Sequence, residues 1–472
     1  MLDVTRRGPA APDAWSGASG GAPCGDLVRV SFGVESGALT NVTFDVEGCA
    51  AARAAAAAVA ELADGADVLD VALISSQDVA AALGGLGPQG RHAAELAADA
   101  LHRALSAVAA AGETLVAPPA RRERVLVALS GGVDSAVAAL LERERGAEVV
   151  AVTVKLWADR ANDGERSCCS PEAVLGARAL AHSLGIPHLT LDLREAFRAG
   201  VVERFLSGYA AGETPNPCVV CNGDLRLDAM VALAERLGAP ALATGHYARL
   251  VDDGEGPLLT AAADAAKDQT YMLAGVRPQT LAALRFPLAG LRKSEVRELA
   301  ARADLPVAAK RESQDLCFLA GEGKRAFLER NGALDAREGE LVDTSGRVLG
   351  LHPGHQNFTI GQRRGIGIGS AEPLYVLATD PTRNRVTVGA RGELARRAVP
   401  VRDARLYRAH SRVNRVRLRY HSAPIPCSVS SPAWAPGRLE LALQEPAYGV
   451  APGQTACLMD GDLVVGRATI AA

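Results

Sequence analysis

The segment Arg124 to Ser135, RVLVALSGGVDS, decides the fold: a short run of branched apolar residues passes through Ser130-Gly131-Gly132 into an Ala-rich helical pattern. Paired glycines let backbone approach a bound group closely, and a helix that starts immediately afterwards turns its free N–H groups and positive dipole end toward that group. Ser130 and Ser135 add hydroxyl donors. The turn therefore suits a pyrophosphate, and it is no Walker loop, because the lysine of GK[ST] is missing.

Outward from this turn, strands and helices alternate: EVVAVTVKLW, a helix around Pro171 to Leu184, then HLTLDL. That alternation predicts a parallel, doubly wound sheet. Upstream, Leu27 to Val34 and Leu39 to Val46 alternate as strands and lead into Ala-rich helices ending with Arg91 to Ala111, a small α+β unit. The residues before Gly21 read as a loose arm. Beyond about residue 335 the helical period gives way to short alternating runs between Gly, Pro and Asp, as expected for two small β-barrel modules. The expected division is 1–117, 118–334, 335–394 and 395–472, and 472 residues are too many for a single core.

Composition narrows the function classes. With 48% hydrophobic and 22% charged residues, the chain reads as soluble and globular, and no apolar run reaches the roughly 18 residues of a membrane span. The N-terminal stretch lacks the apolar run of a signal peptide, so the expected location is cytoplasmic. Nine cysteines then point to metal or redox chemistry more than to a disulfide framework. The net charge of −3 is uneven: residues 1–117 hold six Arg against fourteen Asp and Glu, whereas residues 383–419 hold twelve Arg against Glu393 and Asp403. The second stretch suits phosphate contacts, or a solvated face.

Two cysteine features accompany the turn. TPNPCVVCN (Thr214 to Asn222) places Cys218 and Cys221 in a Pro-flanked loop, and ESQDLCF places Cys317 in another. Such thiols carry thiolate chemistry or bind metal when exposed.

SGGVDS in its strand–helix setting resembles the PP-loop of the ATP pyrophosphatases, of the adenine nucleotide alpha hydrolase-like fold. The ordered motifs ALSGGVDS, TPNPCVVCN, ATGHYAR (Ala243 to Arg249), KDQTYML (Lys267 to Leu273), ESQDLCF and NFTIGQRRGIGIG (Asn357 to Gly369) are similar to those of the tRNA-specific 2-thiouridylase family, MnmA, over residues 124–472. The resemblance implies ATP and Mg²⁺ as cofactors, tRNA and a sulfur donor as partners, and conversion of the wobble uridine to 2-thiouridine with release of AMP and pyrophosphate. It assigns Ala128, Leu129, Ser130, Gly131, Gly132, Val133, Asp134, Ser135, Val154 and Gly245 to ATP, and Asn216, Pro217, Cys218, Lys267, Asp268, Gln269, Arg419 and Tyr420 to tRNA. In the family mechanism Cys317 carries sulfur as a persulfide and Cys221 is its partner. Where many family members have Asp, this chain has Cys218. Three thiols, Cys218, Cys221 and Cys317, open a second route, sulfide bound to a four-iron four-sulfur cluster.

Residues 20–111 resemble the iron–sulfur scaffold family of IscU and NifU, through APCGD (Ala22 to Asp26), EGCAAARAAAAAVAEL (Glu47 to Leu62) and RHAAELAADALHRAL (Arg91 to Leu105). Cys24, Asp26, Cys49 and His92 match its ligand positions for iron or zinc, while Ala93 stands at the third cysteine. A docking domain without metal is the alternative. Two other functions fit parts of the sequence: a PP-loop ligase of another substrate class, and an iron–sulfur carrier. Cys168 and Cys169, and Cys427 and Cys457, are expected to be structural.

Overall fold

The computed structural model describes residues 6–21, 25–112, 119–120, 122–159, 170–310, 316–319, 322–332, 337–430 and 437–472. Cys24, Cys168, Cys169 and Glu312 to Asp315 lie outside the described residues.

Alternation in LVRVSFGVE and ALTNVTFDVE gives the antiparallel strands Leu27–Glu35 and Ala38–Glu47, whose inward residues Val28, Val30, Phe32, Val42, Phe44 and Val46 are buried. The expected loose arm is in part a third strand, Trp15–Gly20, paired antiparallel with Leu27–Glu35. Its glycines and small residues hid it from a propensity reading, and their purpose is contact: a Cβ on Gly17 would lie 2.2 Å from the Ala104 backbone nitrogen. The helix it touches, Pro88–Ala110, is the longest among the described residues and buries an alanine face, Ala93, Ala94, Ala97, Ala100 and Ala104.

The RVLVAL segment forms Arg124–Ala128, the middle strand of a five-stranded parallel sheet. The order is Leu284–Arg285, Ala241–Ala243, Arg124–Ala128, Glu148–Lys155, His188–Asp192. The chain starts in the middle, builds one side, then returns to build the other. The carboxyl ends of Arg124–Ala128 and Ala241–Ala243 therefore flank a topological switch point, where open α/β sheets bind ligands. One face of the sheet, with Val125, Val127, Val149 and Ala151, packs on helices Val133–Glu144, Pro171–Ser183 and Lys293–Arg302.

The other face, with Leu126, Val150, Val152, Leu189 and Leu191, shares one continuous core with helix Leu227–Arg236 and with the alanine helix of the front unit. The front unit is thus packed into the parallel sheet. Arg178 on Pro171–Ser183 meets Asp99 of the alanine helix at 3.0 Å, and Ser19 and Arg103 also donate to Asp99. The edge strand begins with His188 N–H donating to the Ala72 carbonyl at 3.2 Å.

The central module is a four-stranded sheet, in the order Val348–His352, Gly339–Val342, Arg385–Gly389, Tyr375–Asp380. The C-terminal module is a six-stranded barrel, closed by pairing of Ala395–Leu406 with Leu463–Ile470. A hairpin of the catalytic domain, Arg249–Asp252 and Pro257–Thr260, extends it through Leu259 and Val464. Much of the Arg-rich stretch binds the modules together. Arg402 pairs with Glu213, Arg405 with Asp224, Arg408 and Arg412 with Asp253, and Arg417 with Asp268. The formal charge of that stretch is therefore largely neutralised by acids from distant sequence, which composition could not reveal.

Candidate active site

The strand Arg124–Ala128 runs into a turn in which Gly131 adopts a φ of +72°, a conformation that a Cβ would strain. Gly132 then precedes helix Val133–Glu144, and no side chain caps that helix. Its first N–H groups are left for an anion. Ser135 Oγ accepts from Ser130 N–H at 3.1 Å and donates to the Gly132 carbonyl at 3.0 Å, which fixes the turn from within.

Beside it, Gly245 follows Ala241–Ala243 so closely that a Cβ would lie 2.8 Å from the Asp134 carbonyl carbon and the Ser135 nitrogen. Asp134 receives Tyr247 Oη at 2.9 Å and Lys293 Nζ at 2.6 and 2.7 Å. Lys310 Nζ donates to the Gly131 carbonyl at 3.0 Å.

A cleft of about 240 Å³ opens over this turn, lined by Ser130, Asp134, Val154, Arg226, Gly245 and His246 among others. Of the residues expected to hold ATP, Ala128, Leu129 and Ser135 also line it, while Gly131, Gly132 and Val133 form the turn and helix start. Sequence reasoning missed Arg226, His246, Tyr247, Lys293 and Lys310. Thr244, His246 and Tyr247 lie inside the quoted ATGHYAR motif. The two lysines are lone basic residues with no sequence signal that links them to a turn some 160 to 180 positions earlier.

His246 is half-buried at the cleft wall, and desolvation with the nearby Arg226 charge holds its pKa down at about 3. The ring is therefore neutral, and its Nδ1 lies 2.8 Å from Thr244 Oγ1.

Asn216 caps the helical turn Pro217–Cys221 by accepting from Cys218 N–H at 3.2 Å and Val219 N–H at 3.3 Å. The cap orients the two thiols. Cys218 is half-buried, and burial raises its pKa while Arg226 acts in the opposite direction. Cys221 is buried, 7% exposed, in an apolar cluster with Leu156, Phe205 and Tyr209, against which Cys317 also packs. Phe318 anchors Cys317: its ring lies 5.1 Å from Phe205 and Phe327 and 5.9 Å from Phe197. Val154 and Leu156 belong both to this cluster and to the cleft lining, so the cysteine pocket and the nucleotide cleft share a wall.

Among the described residues no three His, Cys, Asp or Glu side chains form a group able to hold a metal ion. Cys218, Cys221 and Cys317 are all described, and no disulfide joins any two of them. They are not gathered as ligands of a single metal ion. In the front unit, Cys49 caps helix Ala50–Ala63, its N–H donates to Asp26 Oδ1 at 2.8 Å, and its Sγ lies 3.2 Å from Asp26 Oδ2. These bonds from Cys49 lower the Asp26 pKa, and the His92 charge acts in the same sense. Asp26, Cys49 and His92 are thus neighbours, whereas Ala93 is buried; Cys24 lies outside the described residues.

The residues expected at tRNA divide. Pro217 is buried within the cysteine turn. Gln269 lines the cleft and accepts from Tyr247 N–H at 2.9 Å. Asp268 is 7% exposed and committed to Thr270 and Arg417. Lys267 is half-buried in the turn before it. Arg419 is exposed, with Nη2 on the Gly449 carbonyl at 2.6 Å, and Tyr420 stacks near Tyr271.

A glycine turn at the switch point of a parallel sheet, with cysteine thiols behind its wall, defines the class: a PP-loop enzyme that activates its substrate with a nucleotide. Family models agree along the chain. The tRNA methyl transferase HUP domain matches residues 123–321, its PRC-barrel domain 325–390, the aminomethyltransferase beta-barrel domain 404–470 and the NifU-like N terminal domain 5–112. The bifunctional protein NifU/MnmA of Rubrobacter xylanophilus is 47% identical over 469 residues, covering 96% of this chain and 93% of that one. The tRNA-specific 2-thiouridylase MnmA of Acidithiobacillus ferrooxidans is 46% identical over 349 residues, 73% of this chain and 97% of that one. The corresponding enzyme of Moorella thermoacetica is 42% identical over 354 residues, 73% and 98%. The chain belongs to the tRNA-specific 2-thiouridylase family, in the form that carries a NifU-like domain in front.

Proposed function

We propose that this chain is an ATP-dependent tRNA sulfurtransferase that replaces O2 of the wobble uridine with sulfur. The wall shared by the nucleotide cleft and the pocket of Cys221 and Cys317 carries the reading, because activation and sulfur delivery must act on one base from adjoining sites.

Ala128 to Ser135, with Val154 and Gly245, hold ATP. The backbone N–H groups of the helix start and the Ser hydroxyls take its phosphates. A carbonyl oxygen is a poor leaving group, so uridine O2 first attacks the α-phosphorus and pyrophosphate departs. The terminal sulfur of a persulfide on Cys317 then attacks C2. Cys221 attacks the Cys317 sulfur, which breaks the S–S bond, leaves both electrons on the new C2 sulfur and expels AMP. The Cys221–Cys317 disulfide left behind needs a dithiol reductant before the next turnover.

Mg²⁺ neutralises phosphate charge when bound. Among the described residues no three His, Cys, Asp or Glu side chains gather to hold it, and the cleft carboxylate Asp134 is engaged by Lys293 and Tyr247. Asn216, Pro217 and Cys218 border the target base, and Lys267, Gln269, Arg419 and Tyr420 contact tRNA around it. Asp268 acts there through Arg417. The sulfur donor is a separate protein that charges Cys317. No helix of the described residues is long and apolar enough to cross a membrane, and the reagents ATP and tRNA put the enzyme in the cytoplasm.

The test is direct. The purified chain with ATP, unmodified tRNA and a persulfide donor forms 2-thiouridine and AMP in equal amounts, read by nucleoside mass spectrometry. AMP formed equally well without tRNA would assign the turn to another ligase substrate, and a chain that moves iron but makes no AMP would be a carrier.

A further inference from the structure

Arg226 stands between the nucleotide cleft and the cysteine turn. It ends the π-helical turn Asn222–Arg226, which continues directly from Pro217–Cys221, and it lines the cleft beside Ser130, Ser135 and His246. Its Nη2 donates to Asn222 Oδ1 at 2.5 Å and lies 3.1 Å from His246 Nε2. Asn222 is held in turn by the Met272 carbonyl at 3.0 Å. With His246 neutral, Nδ1–H donates to Thr244 and Nε2 accepts from Arg226, so Asn222 and His246 together hold the Nη2 corner of the guanidinium.

The clamp leaves the cation uncompensated. Among the described residues no carboxylate pairs with Arg226, and its buried Nε meets no hydrogen-bond partner. A half-buried guanidinium without a counter-ion is costly unless an anion completes it. Among the described residues its neighbours are a neutral imidazole, an amide and the Cys218 thiol, none of them an acid. The anion that fits the adjoining cleft is a phosphate.

We propose that Arg226 is a catalytic residue of the adenylation step, its Nε and Nη1 donors, left open by the bonds to Nη2, binding the non-bridging oxygens of the α-phosphoryl group while uridine O2 attacks phosphorus. This rests on the reading of the site given above. The guanidinium offers donors to the charge that builds on those oxygens in the five-coordinate transition state, and to the same oxygens of AMP when sulfur displaces it. Bonds form and break only between O2, phosphorus and pyrophosphate; Arg226 stays protonated throughout. Because it also faces Cys218, one cation serves both the nucleotide and the thiol turn.

The full chain carrying R226M or R226Q tests this by tRNA-dependent AMP formation, with kcat and KM for ATP measured separately and the melting midpoint as a control. The glutamine keeps an amide near Asn222 and His246 and guards against loss of fold. Both variants are expected to lose about a hundredfold or more in kcat, with KM for ATP moved less than about fivefold and the midpoint kept, as for loss of a transition-state donor. R226K, which keeps the charge without the fork, recovers part of the rate. A folded R226Q that forms AMP within about threefold of wild type overturns the proposal, and so does a loss confined to KM. Failure of the wild-type chain to form AMP with tRNA would overturn the adenylation reading instead.

Discussion

Lys293 donates to both carboxylate oxygens of Asp134, at 2.6 and 2.7 Å, from a helix start 159 positions further along the chain. The pair draws helix Lys293–Arg302 against the nucleotide turn and keeps the Asp134 charge from opposing the phosphates. Lys293→Met leaves Asp134 with Tyr247 alone. Its AMP formation is expected to fall about ten- to a hundredfold, with weaker ATP binding, since an anion then faces the phosphates unpaired. Unchanged ATP affinity by calorimetry would show that the pair only supports the helix.

Gly245 admits no side chain. A methyl group there meets backbone atoms of Asp134 and Ser135 at 2.8 Å, and neither can swing aside as a flexible side chain would. Gly245→Ala is expected to cost about 2 kcal/mol of stability and to abolish ATP binding by shifting the helix start. Urea unfolding with parallel nucleotide titration reads both, and an unperturbed variant would mean that the turn yields freely.

The buried junction between Arg178 and Asp99 joins the front unit to the catalytic sheet. The side chains are only 9% and 12% exposed, so Asp99→Ala leaves a guanidinium charge without compensation, at a cost of about 3–5 kcal/mol. Because the alanine helix and the sheet share one core, the loss is expected in one cooperative unfolding transition. Two separate transitions in wild-type calorimetry would contradict the shared core.

His246 sets a pH dependence. Its folded pKa, about 3, lies below the ordinary imidazole value of 6.5, so the unfolded chain binds the proton more readily. Its stabilising contribution is complete above pH about 6.5 and is lost as pH falls toward about 3, at no more than about 1.4 kcal/mol per pH unit. His246→Gln removes one proton from that slope. Denaturation midpoints at pH 7, 6 and 5 for both proteins check it, and identical slopes would contradict a ring held neutral in the fold.

Cys317→Ser separates activation from transfer. AMP formation is expected to persist, while 2-thiouridine disappears. If a persulfide on Cys317 carries the sulfur, anaerobically purified wild-type protein is expected to thiolate tRNA without a four-iron cluster. Stoichiometric iron, lost together with activity on chelation, would restore the cluster route.

Much of the fold could be read in advance where a pattern is local. Alternation marked Leu27–Glu35 and Ala38–Glu47, and the strand–glycine–helix junction at Ser130 to Ser135 marked the nucleotide turn, because each depends on neighbours within a few positions. Trp15–Gly20 could not be read in the same way: its strand is stabilised by close contact with the alanine helix, not by side-chain propensity. Arg402, Arg405, Arg408 and Arg417 looked like a phosphate surface until their acidic partners were brought to them from residues 213–268.

By itself the sequence determined the chemistry available: a turn that can cradle phosphate, three thiols on two loops, and a front unit with a lone Ala93 among ligand-like neighbours. Only the tertiary structure decided what those groups face. Cys221 and Cys317 share a pocket, Arg226 turns a charge without counter-ion into the cleft, and Lys293 and Lys310 close on the turn from more than 150 residues away. The physical reason is range: backbone conformation is set by adjacent residues, whereas burial, charge pairing and proximity of thiols depend on how the parallel sheet folds distant segments onto one switch point.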